Sequence, residues 1–137
     1  MDNFQDFLME EFNEFETVER TLKIGGKDKQ MQFKPILASL GDELRRKCRK
    51  TSFYKGQKVV ETNNDQYVAN LIIESTVHPD LKNAQLQAAW GVMGAEDLLK
   101  AMKSKMLDGE YAEWSNVVSE VNGYDKGMQE LVDEAKN

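Results

Sequence analysis

Thr17-Val18-Glu19-Arg20-Thr21-Leu22-Lys23-Ile24, then Gly25-Gly26-Lys27-Asp28, then Gln30-Met31-Gln32-Phe33-Lys34 is the stretch on which the fold class turns. Val18, Arg20, Leu22 and Ile24 sit near strand-like alternation, and Gln30 to Lys34 alternates again. Two short alternating runs joined by a glycine-bearing turn predict a β-hairpin. Pro35 ends the second strand, because it has no N–H to give to a ladder. With the helical periodicity elsewhere, this hairpin makes the fold class α+β, mostly α-helical, with a small N-terminal β-hairpin followed by a helical bundle-like domain.

Before the hairpin, Phe4, Phe7, Leu8, Phe12 and Phe15 recur at three- and four-residue spacing, and carboxylates fill the other positions. That is the period of one helix face, so residues 1–16 are expected to form an acidic amphipathic helix, an appendage that must dock on something. After the hairpin, Leu40, Leu44 and Cys48 mark the buried stripe of a short helix whose polar flank is Arg45, Arg46, Lys47, Arg49 and Lys50. Thr51 to Thr62 is open between a second hairpin and an extended loop.

The remainder has helical periodicity. Asp65 is placed to cap a helix burying Tyr67, Val68, Leu71 and Ile72, which His78-Pro79 breaks, since proline disfavours helix in the residue before it. Asn83 can cap a short helix with Leu86, Ala89 and Trp90, stopped at Gly91. Glu96 and Asp97 suit the first turn of the next helix, which buries Leu98, Leu99, Met102 and Met106. Asp108-Gly109 leads into a helix with Tyr111, Trp114, Val117, Val118 and Val121, closed by Asn122-Gly123. Met128, Leu131, Val132 and Ala135 give a last helical segment. The divisions expected are 1–16, a single domain over 17–125, and a helical extension over 126–137.

At 137 residues the chain is the size of one ordinary domain, and its 40% hydrophobic and 31% charged content is that of a globular protein. No run approaches the roughly 18 apolar residues of a membrane span, and the acidic start is unlike a signal peptide, so a cytoplasmic location is expected. Net charge is −6, in three blocks. Residues 1–19 hold seven acids and no base, residues 20–60 twelve bases against three acids, and residues 61–137 fourteen acids against six bases. Such segregation predicts that the blocks face each other, within one molecule or between copies.

Chemistry is sparse. One histidine and one cysteine fall short of a structural zinc set, and the acids lack the spacing of a calcium loop. Gly25-Gly26-Lys27-Asp28 is a turn rather than a phosphate loop, and no strand precedes Gly91-Val92-Met93-Gly94 to make it a nucleotide loop. Cys48 reads as a small buried residue and His78 as a turn residue without a positioned partner. No catalytic, cofactor or metal residue is assigned. The basic 45–50 cluster, followed by Phe53 and Tyr54, raises nucleic-acid binding as the alternative function, in a small nucleic-acid-binding or regulatory protein. The acidic remainder would repel a polyanion, so a protein partner or a solvated face is preferred.

The run Gly91 to Met102, then Gly109-Glu110-Tyr111-Ala112, then Val121-Asn122-Gly123-Tyr124-Asp125 resembles the carboxy-terminal signature of XkdN-like phage tail assembly chaperones. Leu44-Arg45-Arg46-Lys47-Cys48 and the stretch from Ala69 to Leu81 are similar to other parts of that family, so the resemblance runs from about Thr17 to Asp125. Lys103-Ser104-Lys105 departs from it, standing where a shorter, more apolar link is expected. The resemblance implies a non-catalytic protein without a cofactor, made in the cytoplasm of the bacterial host. It would bind the tape measure protein, keep it soluble, give way to the tail tube protein and be absent from the mature virion. The partner-binding residues expected for that role are Phe4, Phe7, Leu8, Phe12 and Phe15, with Arg45, Arg46, Lys47, Arg49 and Lys50. Self-association is also expected, since segregated charge lets copies stack head to tail.

Overall fold

A computed structural model of the chain describes residues 4–124. It is a mixed α+β fold: among the described residues, five α-helices accompany a three-stranded and a two-stranded sheet. Strand β1 (Val18–Ile24) pairs antiparallel with β2 (Lys27–Phe33), in register from Val18 opposite Phe33 to Ile24 opposite Lys27. The turn is tighter than the sequence implied. Gly25 and Gly26 both have positive φ (63° and 82°), the two-residue geometry that matches the twist of paired strands and that side-chain-bearing residues resist. Lys27, Asp28 and Lys29 therefore belong to the second strand rather than to the turn.

A third strand was not foreseen. β5 (Thr76–His78) follows helix α2 (Asn64–Ser75) directly and pairs antiparallel with β2, His78 opposite Gln32 and Thr76 opposite Phe33. Three residues carry too little alternation to register as a strand in sequence, and His78 is a strand residue, not a turn. Asn63, rather than Asp65, caps α2: its side-chain oxygen accepts from the Gln66 N–H at 3.0 Å.

Helix α1 (Ala38–Lys47) precedes β3 (Arg49–Tyr54) and β4 (Gln57–Thr62), a hairpin exposed along almost its whole length. Of the two readings open for Thr51 to Thr62, the hairpin is the one formed. The chain is accordingly less helical than the sequence implied, because exposed strands have no buried face to impose an alternating pattern. Helices α3 (Ala84–Ala89), α4 (Ala95–Lys103) and α5 (Asp108–Val121) follow, with Asn83 capping α3 as expected. The expected helix after Asp125 lies outside the described residues.

One core joins these elements. Leu22, Met31 and Phe33 project from the inner face of the sheet, and α1 adds Leu44 and Cys48. Leu71, Ile72 and Ile73 come from α2, Leu98, Leu99 and Met102 from α4, and Trp114, Val117 and Val118 from α5. Trp114 is fully buried, and its indole N–H donates to the Thr76 hydroxyl at 3.1 Å, so the largest core side chain is also tied to the sheet's short edge strand. Replacing Trp114 by alanine empties that space and strands the Thr76 hydroxyl. Trp114→Ala is expected to cost about 3–5 kcal/mol of unfolding free energy in urea titration, and a loss below about 1 kcal/mol would contradict the packing described.

Candidate functional site

Two kinds of feature can be told apart: the polar groups that hold the fold, and the exposed surfaces that are candidates for binding. Glu110 is buried in the first turn of α5. Its carboxylate accepts from the Leu107 N–H at 2.8 Å, the Gly25 N–H at 3.0 Å and the Gly26 N–H at 2.9 Å. Leu107 has no side-chain acceptor, so capping of this helix rests on Glu110 alone. The N–H groups of Leu107, Gly26 and Gly25 hold the Glu110 carboxyl below the usual carboxylate range, against the opposing pull of desolvation. At the other end of α5, Asn122 accepts from the Ile36 N–H at 2.9 Å and donates to the Ser75 hydroxyl at 2.9 Å.

The expected basic patch is divided. Only Arg45, Arg46 and Lys47 are helical; Arg49 and Lys50 open β3, because the chain leaves the helix at the buried Cys48. Arg45 donates to Asp42 at 2.6 Å and to the Tyr67 hydroxyl at 3.2 Å. Lys47 donates to Asn70 at 3.2 Å and lies 3.6 Å from Glu96. Arg46, Arg49 and Lys50 are exposed. Two of the five cations are thus committed to the protein's own acids, one hydroxyl and one amide. Burial pushes the Cys48 thiol up, which disfavours the reactive thiolate.

The amino-terminal residues do not form the amphipathic α-helix that their spacing predicts. Phe4–Phe7 and Met9–Glu11 are two short 3₁₀ turns. Helix nucleation in a short segment is unfavourable without a packed face, and this segment lacks one. Phe7 and Phe12 are 75% and 66% exposed, and Phe4, Leu8 and Phe15 are exposed as well. The five apolar residues among the expected contacts therefore lie on one short segment, each of them exposed. Exposed apolar side chains gathered in this way make the segment a candidate interaction surface.

A second feature escaped the sequence reading. A groove of about 520 Å³ opens beside the Gly25-Gly26 turn, between β2, α3 and the α4–α5 connection. Met31, Met102 and Trp114 form its floor, and Leu86, Trp90 and Met106 its walls. Lys27, Lys29 and Lys105 line its mouth. Side chains two apart on a strand share a face. Lys27 and Lys29 are therefore on the same side of β2 as the buried Met31 and Phe33, where the core stops short. That alternation of two cations and two apolar residues was the available signal, and a longer turn assignment hid it. Among the described residues, no group of three or more His, Cys, Asp or Glu side chains could hold a metal ion, and no helix is long and apolar enough to cross a membrane.

Comparison with known proteins gives consistent matches. Residues 4–136 match the family model described as phage XkdN-like tail assembly chaperone protein. The chain is similar to the phage-like element PBSX protein XkdN of Bacillus subtilis (strain 168), 32% identical over 105 residues, which are 76% of this chain and 70% of that protein. It is also 32% identical over 106 residues to YqbN of the same organism, described as uncharacterized, with 77% and 70% covered. A crystal structure of the protein YqbN superposes with a TM-score of 0.68 at 25% identity, covering 91% of this chain and 99% of that one.

The Glu110 geometry fixes a pH dependence. Its carboxyl is depressed in the fold, so its stabilising contribution is complete above the unfolded-state pKa and is lost as pH falls towards the folded-state value. Glu110→Gln keeps the shape and removes the charge. The variant is expected to have a lower Tm than the parent at pH 7, and the gap is expected to narrow as pH drops below about 4, near the ordinary glutamate value. A gap of the same size at pH 7 and pH 3 would show that the charge does not matter.

Proposed function

We propose that this chain, which belongs to the phage XkdN-like tail assembly chaperone family, acts in tail assembly by binding the tape measure protein and keeping it soluble. The observation that carries the reading is the exposed row of Phe4, Phe7, Leu8, Phe12 and Phe15 on a segment rich in carboxylates. A long client with apolar helical stretches needs apolar surface to cover it, and a segment without a packed face of its own can fold against such a client. The carboxylates keep the holder soluble while its phenylalanines are exposed. Arg46, Arg49 and Lys50, exposed near the base of the β3–β4 hairpin, would add contacts to acidic stretches of the client. On this reading the protein is non-catalytic and works in the cytoplasm of the host. It gives way to the tail tube protein and is absent from the mature virion.

The division of the basic cluster weighs against the nucleic-acid alternative. Arg45 and Lys47 already face Asp42 and Glu96, so a phosphate backbone would have to compete for them.

Co-expression with the tape measure protein of the same phage tests the reading. A soluble complex is expected that co-purifies and survives high salt. The double variant Phe7→Ser, Phe12→Ser is expected to keep its fold and to lose most of the recovered client. Insoluble client with nothing co-purifying would remove the proposed role.

A further inference from the structure

We propose that the groove between β2, α3 and the α4–α5 connection receives the acidic aromatic segment, residues 4–15, of a second copy of this chain. The two surfaces are complementary in both respects that matter for a peptide in a groove. The floor is apolar and rich in sulfur, with Met31 and Met102 beside Trp114 and the half-buried Met106 on the wall. Phenylalanine rings make favourable contacts with thioethers, and methionine adjusts to their shape. At the mouth stand Lys27, Lys29 and Lys105, none of them in an ion pair with a described residue. The segment carries Asp6, Glu10, Glu11 and Glu14 among its phenylalanines and no cation. At about 520 Å³ the groove is within the range of clefts that take small-molecule-sized groups, room for a few of the segment's side chains.

The placement of the segment in a single chain favours a second copy over the chain's own segment. The segment joins the fold at Val18, while the lysines cluster around the opposite end of β1, a seven-residue strand away, roughly 20 Å. Phe12 and Phe15, the phenylalanines nearest Val18, would have to spend nearly all of an extended reach of about 20 Å or less to enter their own groove. In the structure Phe7 and Phe12 stand in solvent instead. A second copy can present all of the phenylalanines to the groove together. Insertion of one copy's segment into another's groove is a heterologous contact, which closes into a dimer if exchanged and otherwise extends into a chain of copies. A client bound to the same phenylalanines would release the contact, but the inference does not rest on the chaperone reading, and its test uses this protein alone.

Light scattering after size exclusion, over a hundred-fold range of concentration in low salt, reads the association directly. The full chain is expected to exceed the mass of one copy as concentration rises. The segment variant Phe7→Ser, Phe12→Ser and the groove variant Lys27→Glu, Lys29→Glu, Lys105→Glu are each expected to remain at one copy. All five positions are exposed, and circular dichroism would show the parent fold in both. An equimolar mixture of the two variants is expected to restore a two-copy complex, because the first keeps its groove and the second its segment. As a second measurement, a synthetic peptide of residues 1–16 titrated into the segment variant is expected to shift tryptophan fluorescence, and to bind at least ten-fold more weakly when the three lysines are also reversed. A full chain that stays at one copy throughout, a mixture that fails to associate, or a peptide indifferent to the lysines would each overturn the proposal.

Discussion

Three backbone N–H groups converge on the Glu110 carboxylate, one from the start of its own helix and two from a turn about 85 residues away in sequence. A charged acceptor at a helix N-terminus is favourable by itself, since the first turn leaves its N–H groups without intrahelical partners. Here the same charge also satisfies Gly25 and Gly26, whose left-handed conformations aim two successive N–H groups in one direction. The first turn of α5 and the tip of the β1–β2 hairpin are therefore fixed to each other. With that end pinned, α5 lies along β1, and Glu120 near its far end comes within 3.8 Å of Arg20.

The rest of the interior follows from this placement. Trp114, one turn beyond Glu110, enters the core and reaches Thr76 in β5. Asn122, at the end of the same helix, bonds to the backbone before α1 and to Ser75 at the end of α2. One helix thus supplies polar contacts to the hairpin turn, to β5, to the end of α2 and to the backbone before α1, at intervals along its length. Among the described residues no buried side-chain nitrogen or oxygen lacks a partner. That matters in a domain of this size, because an unpaired buried polar group would remove a substantial part of a stability that is marginal to begin with.

Where this interior stops, two surface features remain. The phenylalanine segment exposes apolar side chains. The space beside Met31, Met102 and Trp114 is a groove open to solvent. Their charges are opposite in sign, as the block pattern of the sequence already implied. Membership of a tail assembly chaperone family gives both surfaces a setting in which protein partners are expected.

Local pattern along the chain was enough to place the elements that depend on local pattern. Alternation about Gly25-Gly26 placed the first two strands, since only paired strands around a tight turn bury Leu22, Met31 and Phe33 together. Helical spacing placed α2, α4 and α5 and most of their core residues, and the ordered motifs from Gly91 to Asp125 carried the family. Features that depend on distant partners emerged only on packing. Glu110 read as one more acid of a first turn until the hairpin supplied its other donors. Thr76–His78 became a strand only because β2 offered an edge. The basic run was divided where Cys48 turned inward, and the phenylalanine spacing did not make an α-helix because a 3.6-residue period organises a segment only against a surface that buries it. The groove belonged to no single stretch: its floor comes from β2, α4 and α5, and only their packing creates the space between them.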